Sequence, residues 1–247
     1  MNRVETPTSS ASLTQLTPPK NWTLSERLDK PRLFCPPTSL SSFMPMHYEA
    51  GYAYPLIVWL HDNGLNEDSL PQVMPHISLR NFVAVAPRAT QPCGTGFAWQ
   101  QSASAIEAAE EAVADAIRRA SEMFHIHPQR IMLVGHGQGG TMALRVALRH
   151  PQQYAAVASI AGALPRQHAP LAKINQLREL PVMLASGRVS RCYPQQHACD
   201  DLRLLHTAGC QVAFRQYPDD ELADNMLGDL NKWLMEIVCG TRSAVVS

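Results

Sequence analysis

Seven consecutive residues, Val134-Gly135-His136-Gly137-Gln138-Gly139-Gly140, carry the densest chemical signal in the chain. Glycines crowded around a histidine, between a short apolar run and a helix-like stretch, describe a tight strand-to-helix turn. Two kinds of site use such a turn. In the nucleophile elbow, G-x-S-x-G, the turn lifts a serine above the end of a sheet, where a neighbouring base can take its proton. In the dinucleotide fingerprint, G-x-G-x-x-G, the glycines let a pyrophosphate approach the backbone at a helix N-terminus. Gly135, Gly137 and Gly140 satisfy the second pattern. It also needs an acidic residue roughly 20 positions on, for the ribose hydroxyl. No Asp or Glu occurs between Glu122 and Glu179, and the turn follows the third clear strand rather than opening the fold. A dinucleotide-binding protein is therefore the weaker alternative.

The elements that must hold this turn are legible as apolar runs. Residues 56–60, 82–86, 131–134, 155–160 and 181–185 are continuous and of strand length, and 212–214 is a shorter sixth. Such runs mark strands buried on both faces. Helical stripes fill the gaps. Ile106, Ala109, Val113, Ile117, Ala120 and Phe124 recur every three or four residues, and Ser104 with Glu107 reads as a capping box. Met142, Leu144, Val146 and Leu148 follow the glycine turn. Leu202, Leu205 and His206 lie on a helix stopped by Gly209, and Leu222, Met226, Leu230, Trp233, Leu234 and Ile237 form the last. Strands alternating with helices predict an α/β fold, a mostly parallel central sheet with helices on both faces. The boundaries expected are a disordered Ser/Thr/Pro-rich tail at 1–29, a folded domain at 30–240 and a short C-terminal tail at 241–247. Arg32-Leu33-Phe34-Cys35 is a candidate edge strand, closed by Pro36-Pro37.

The run 56–60 continues into His61-Asp62-Asn63-Gly64, a strand followed by an H-G-type loop of the kind that supplies half of an oxyanion hole. Spacing and order over residues 54–238 resemble the carboxylesterase/phospholipase branch of the α/β-hydrolases, which includes the acyl-protein thioesterases. The family's elbow commonly reads G-F-S-Q-G-G, and the likeness here runs through Thr141-Met142-Ala143-Leu144 to His150-Pro151. The resemblance implies a serine nucleophile, a histidine base and an acid that orients it. It also puts the elbow at Gly135, His136 and Gly139, and oxyanion-loop positions at Asp62, Asn63 and Gln138.

At each catalytic position the residue type is wrong for that chemistry. The nucleophile position is Gly137, which has no side chain to acylate. The acid is expected at Val189 or Ser190, in the loop after 181–185, and neither is a carboxylate. The base is expected before the Glu221-Leu222 pair, where Asp220 stands, and His206 is the last histidine of the chain. Asp62 replaces a preferred glycine. A carboxylate facing a developing oxyanion opposes it by about 4 kcal/mol at ~4 Å and an effective dielectric near ~20. The expectation is a non-catalytic relative that keeps the fold and binds a small-molecule or ester-like ligand, or a protein partner. The alternative is an active esterase using recruited residues.

Other clusters carry less. His136 is expected to point away from the nucleophile position. Asp219 and Asp220 read as charge complementing a helix N-terminus. His197, Cys199, His206 and Cys210 have no C-x-x-C and lie mostly on one helix at spacings that face different sides, so no metal site is expected. Cys192, near Arg188 and Arg191, lacks a histidine partner and reads as an ordinary thiol.

Composition sets the outer limits. The chain has 247 residues, 45% apolar and 17% charged, with 21 Lys+Arg balanced by 21 Asp+Glu. A neutral chain without a basic patch is no nucleic-acid binder by this measure. Its apolar runs, such as 55–60, are too short for a membrane span. The N-terminus lacks the apolar stretch of a secretory signal, and six scattered cysteines suit reduced thiols in the cytoplasm. No cofactor is implied.

Overall fold

The apolar runs form the middle of a seven-stranded sheet. The structure, a computed structural model, describes residues 39–168 and 171–240. The candidate strand at 32–35 and both expected tails lie outside them. The strands are β1 (Leu40–Phe43), β2 (Tyr54–Leu60), β3 (Val83–Pro87), β6 (Ile126–His136), β7 (Ala156–Ile160), β8 (Pro181–Gly187) and β9 (Gln211–Tyr217). Their order is β1-β3-β2-β6-β7-β8-β9. Only β1 runs antiparallel to its neighbour; the other pairings are parallel. A separate hairpin joins β4 (Gln91–Cys93) to β5 (Gly96–Ala98).

Both faces of the sheet are covered, which is why its strands read as unbroken apolar runs. All seven residues of β2 are buried. Leu56, Val58 and Leu60 pack on one side with Ile106, Val113 and Ile117 of α2 (Ala103–Met123) and with Leu144 and Leu148 of α3 (Gln138–Arg149). Ile57 and Trp59 face the other side, against α1 (Leu70–Ile77) and α6 (Asp224–Cys239). A four-residue helix α4 (Ile174–Leu177) precedes β8, and α5 (Gln195–Thr207) follows it.

Several local expectations change. The strands around 131–134 and 212–214 are longer than their apolar centres, because parallel pairing, of β6 with β2 and β7 and of β9 with β8, extends beyond those residues. Ser102, not Ser104, caps α2: its side chain accepts from the Ala105 N–H, which places the N-terminus two residues earlier than the Ser104–Glu107 pair suggests. Helix α6 begins at Asp224, so Asp219 and Asp220 lie ahead of its first turn and do not serve its dipole.

The strand order reverses beside β2. The chain moves from β2 outward to β3, then crosses back to β6 on the other side of β2. The crevice outside the C-terminal ends of β2 and β6 is thus the topological switch point, where open α/β sheets hold ligands. Asp62 follows β2 there, and Gly137 follows β6.

Candidate functional site

The glycine turn is built by close backbone approach. Gly137 has φ 53° and ψ −121°, a conformation that favours glycine, and it caps the N-terminus of α3. Its N–H donates to the Ile160 carbonyl at 2.8 Å, tying the turn to the end of β7. Gly139 presses α3 onto the end of β2: a Cβ there would fall on the carbonyl oxygens of Leu60 and His61.

The loop after β2 is held just as firmly. His61 is fully buried. Its Nε2 accepts from the Ala89 N–H at 3.1 Å, which fixes the proton on Nδ1, and Nδ1 donates to the Asp62 carbonyl at 2.8 Å. Trp99 Nε1 donates to the His61 carbonyl at 2.9 Å. The β4–β5 hairpin staples the same loop through Gly64 N–H to Phe97 O and Phe97 N–H to Leu65 O. Arg88 makes a two-pronged pair with buried Glu67, at 2.7 and 2.5 Å. Trp99, the hairpin and the Glu67–Arg88 pair position the loop, and no motif in the sequence marks them; Gly94 at the hairpin turn is the one local signal.

Burial pulls the His61 imidazole below its ordinary pKa, since the folded site has no room to solvate a charged ring. The sign follows from the bond pattern. The unfolded chain takes up a proton on this residue near the usual histidine pKa, while the folded chain keeps the ring neutral to accept from Ala89. Stability from His61 is therefore complete above the usual value and declines as pH falls through it. Urea midpoints measured from about pH 7.5 down to about pH 5.5 are expected to fall more steeply for the wild type than for His61→Gln.

Asp62 turns inward. Its Oδ1 accepts from the Gln138 N–H at 2.8 Å. A Cβ built on Gly137 would land on this carboxylate, well inside contact distance of Oδ1, Cγ and Oδ2. The side chain of Asp62 thus fills the volume in which a side chain at 137 would start. It also takes the free amide at the head of α3, where a partial positive charge resides.

His136 differs from expectation. Its Nε2 donates to the Asp220 carbonyl at 3.0 Å, and its Nδ1, buried without a hydrogen-bond partner, stands 3.9 Å from Asp62 Oδ2. The ring therefore lies beside the 137 locus rather than away from it, because the Asp220 backbone reaches over the end of β6 and anchors it.

The remaining positions have other tasks. Asp220 Oδ1 accepts from the Gly187 N–H at 2.9 Å, linking the segment before α6 to the end of β8. Val189 is 75% exposed. Ser190 Oγ accepts from the Tyr193 N–H at 2.8 Å. Asn63 is exposed. His197, Cys199 and His206 lie on α5 with Cys210 beyond it, and no group of His, Cys, Asp or Glu among the described residues is placed to hold a metal ion.

A profile of the family described as Phospholipase/Carboxylesterase matches residues 94–237, more than half of the chain. The chain belongs to the phospholipase/carboxylesterase family. A carboxylesterase from Mesorhizobium loti superposes with a TM-score of 0.63 at 20% identity, covering 74% of this chain and 90% of that one. The Bacillus cereus carboxylesterase gives 0.64 at 13% identity, over 81% and 94%. Arabidopsis thaliana SOBER1 gives 0.64 at 19% identity, over 75% and 100%. These likenesses establish the α/β-hydrolase fold. NocK of Nocardia uniformis subsp. tsuyamanensis, described as a candidate esterase, is 39% identical over 62 residues, which cover 25% of this chain and 17% of NocK. No helix among the described residues is long and apolar enough to cross a membrane.

Proposed function

We propose that this member of the phospholipase/carboxylesterase family is a non-catalytic binding protein. It keeps the hydrolase fold and uses the switch-point crevice, or the surface around it, to hold a small molecule or a protein partner. The observation that carries the reading is the tip of the turn: Gly137 has no side chain, and the Asp62 carboxylate stands where one would begin. Acyl transfer needs a nucleophile there and free donors for the oxyanion. Here the Gln138 N–H already serves Asp62. Val189 is an exposed apolar residue, Ser190 caps Tyr193, and Asp220 is bonded to the Gly187 amide. On this reading Ser190 and Asp220 have taken structural tasks, and Val189 supplies no acid.

The five described cysteines, Cys93, Cys192, Cys199, Cys210 and Cys239, are unpaired, which supports a reducing, cytoplasmic setting.

Turnover tests the reading. Purified protein is expected to hydrolyse p-nitrophenyl butyrate no faster than Gly137→Ala or His136→Ala protein. Removing a serine nucleophile from a working hydrolase costs about a millionfold in turnover in the subtilisin example, so an active enzyme is easily told apart. Turnover that survives in Gly137→Ala but disappears in His136→Ala would establish instead an esterase with recruited residues.

A further inference from the structure

The Asp62 carboxylate occupies two places at once, the start of the missing side chain and the acceptor position on the Gln138 amide. We infer that Asp62 is a resident internal anion, holding the oxyanion site of this fold closed against external carbonyl and carboxylate oxygens. The inference rests on the non-catalytic reading of the same crevice and adds the class of ligand that the crevice rejects and the residue that rejects it.

The physical case has three parts. An N–H at the head of a helix attracts an anion, and a charge-assisted bond to a carboxylate is roughly twice as strong as a neutral one. Asp62 makes that bond at 2.8 Å from a loop already fixed by His61, Trp99, the β4–β5 hairpin and the Glu67–Arg88 pair. Little chain entropy is lost in holding it, so an external ligand must displace a preorganised competitor. Finally, Asp62 Oδ2 stands 3.9 Å from the buried His136 Nδ1, which has no hydrogen-bond partner, so both oxygens of the carboxylate are committed to the space beside Gly137. A carbonyl oxygen arriving here meets negative charge.

Removing the carboxylate should open the site. In Asp62→Gly protein the Gln138 N–H is freed and the space beside Gly137 is empty. Sodium butyrate, titrated while the Gln138 amide resonance is followed, is expected to bind this variant at least about tenfold more tightly than the wild type. The shift should centre on Gln138 and Gly139. Asp62→Asn, which preserves shape, supplies a second measurement if the glycine variant does not fold. Its Gln138 amide proton should move upfield of the wild-type position, because a charged acceptor is exchanged for a neutral one. Two results overturn the inference: equal butyrate binding by wild type and Asp62→Gly, or a Gln138 amide that does not respond to Asp62→Asn. Neither depends on turnover. A wild type that hydrolyses esters would overturn the non-catalytic reading alone.

Discussion

Gly137→Ala should destabilise the protein by about 3 kcal/mol or more, and about 1–2 kcal/mol of that loss should depend on Asp62. Two costs act together. An alanine at φ 53° and ψ −121° is strained by roughly 1–3 kcal/mol whatever surrounds it. Its Cβ must also evict the Asp62 carboxylate, which breaks the bond to the Gln138 N–H and strips α3 of its cap. Losing an N-terminal cap of this kind costs ~0.5–2 kcal/mol. Asp62→Gly by itself should cost only about that capping contribution. Combined with Asp62→Gly, the Gly137→Ala change should retain only its backbone strain. A double-mutant cycle in urea is therefore expected to give a coupling of about 1–2 kcal/mol. Additive effects would mean that the two residues do not share space. The same interlock bears on attempts to restore catalysis. Gly137→Ser with Val189→Asp and Asp220→His is expected to remain inactive while Asp62 is present, since the serine and the carboxylate compete for one volume.

Gly139→Ala should be at least as damaging, for a different reason. The atoms its Cβ would strike are backbone carbonyl oxygens of Leu60 and His61, not a side chain that can swing aside. Helix α3 would have to move away from β2, opening the core that Met142, Leu144 and Leu148 form against Leu56, Val58 and Leu60. A loss of more than about 3 kcal/mol, or failure to accumulate as folded protein, is expected. Gly228→Ala provides the reference. It lies inside α6 with nothing near its Cβ position, so it should stabilise by about 0.5–1 kcal/mol through helix propensity. Thermal midpoints of the two variants should move in opposite directions.

The elements that sequence patterning predicts are those buried on both faces. β2 and β8 are continuous apolar runs because the sheet leaves them no polar side. Helix α1 escapes the pattern: its Leu-Pro-Gln-Val-Met-Pro-His-Ile sequence carries two prolines and forms because Leu70, Val73, Met74 and Ile77 pack under the sheet. β4 and β5 have three residues each, too few for any period to register, and exist through their pairing and the loop they staple. In the site, Gly137 and Asp62 are noticeable as residue types at unusual positions. That the carboxylate enters the space above Gly137 could not be read from the chain, because it depends on how a 76-residue separation closes across two strands. His136 is a similar case: its orientation is set by the carbonyl of Asp220, from a segment 84 residues away.

Covalent labelling tests the central claim most directly. Folded wild-type protein incubated with a fluorophosphonate should keep its unmodified intact mass, because the turn that would present a serine presents Gly137 beside the Asp62 carboxylate. Stoichiometric addition of the phosphonyl group at a serine would contradict the account and identify this chain as a working serine hydrolase.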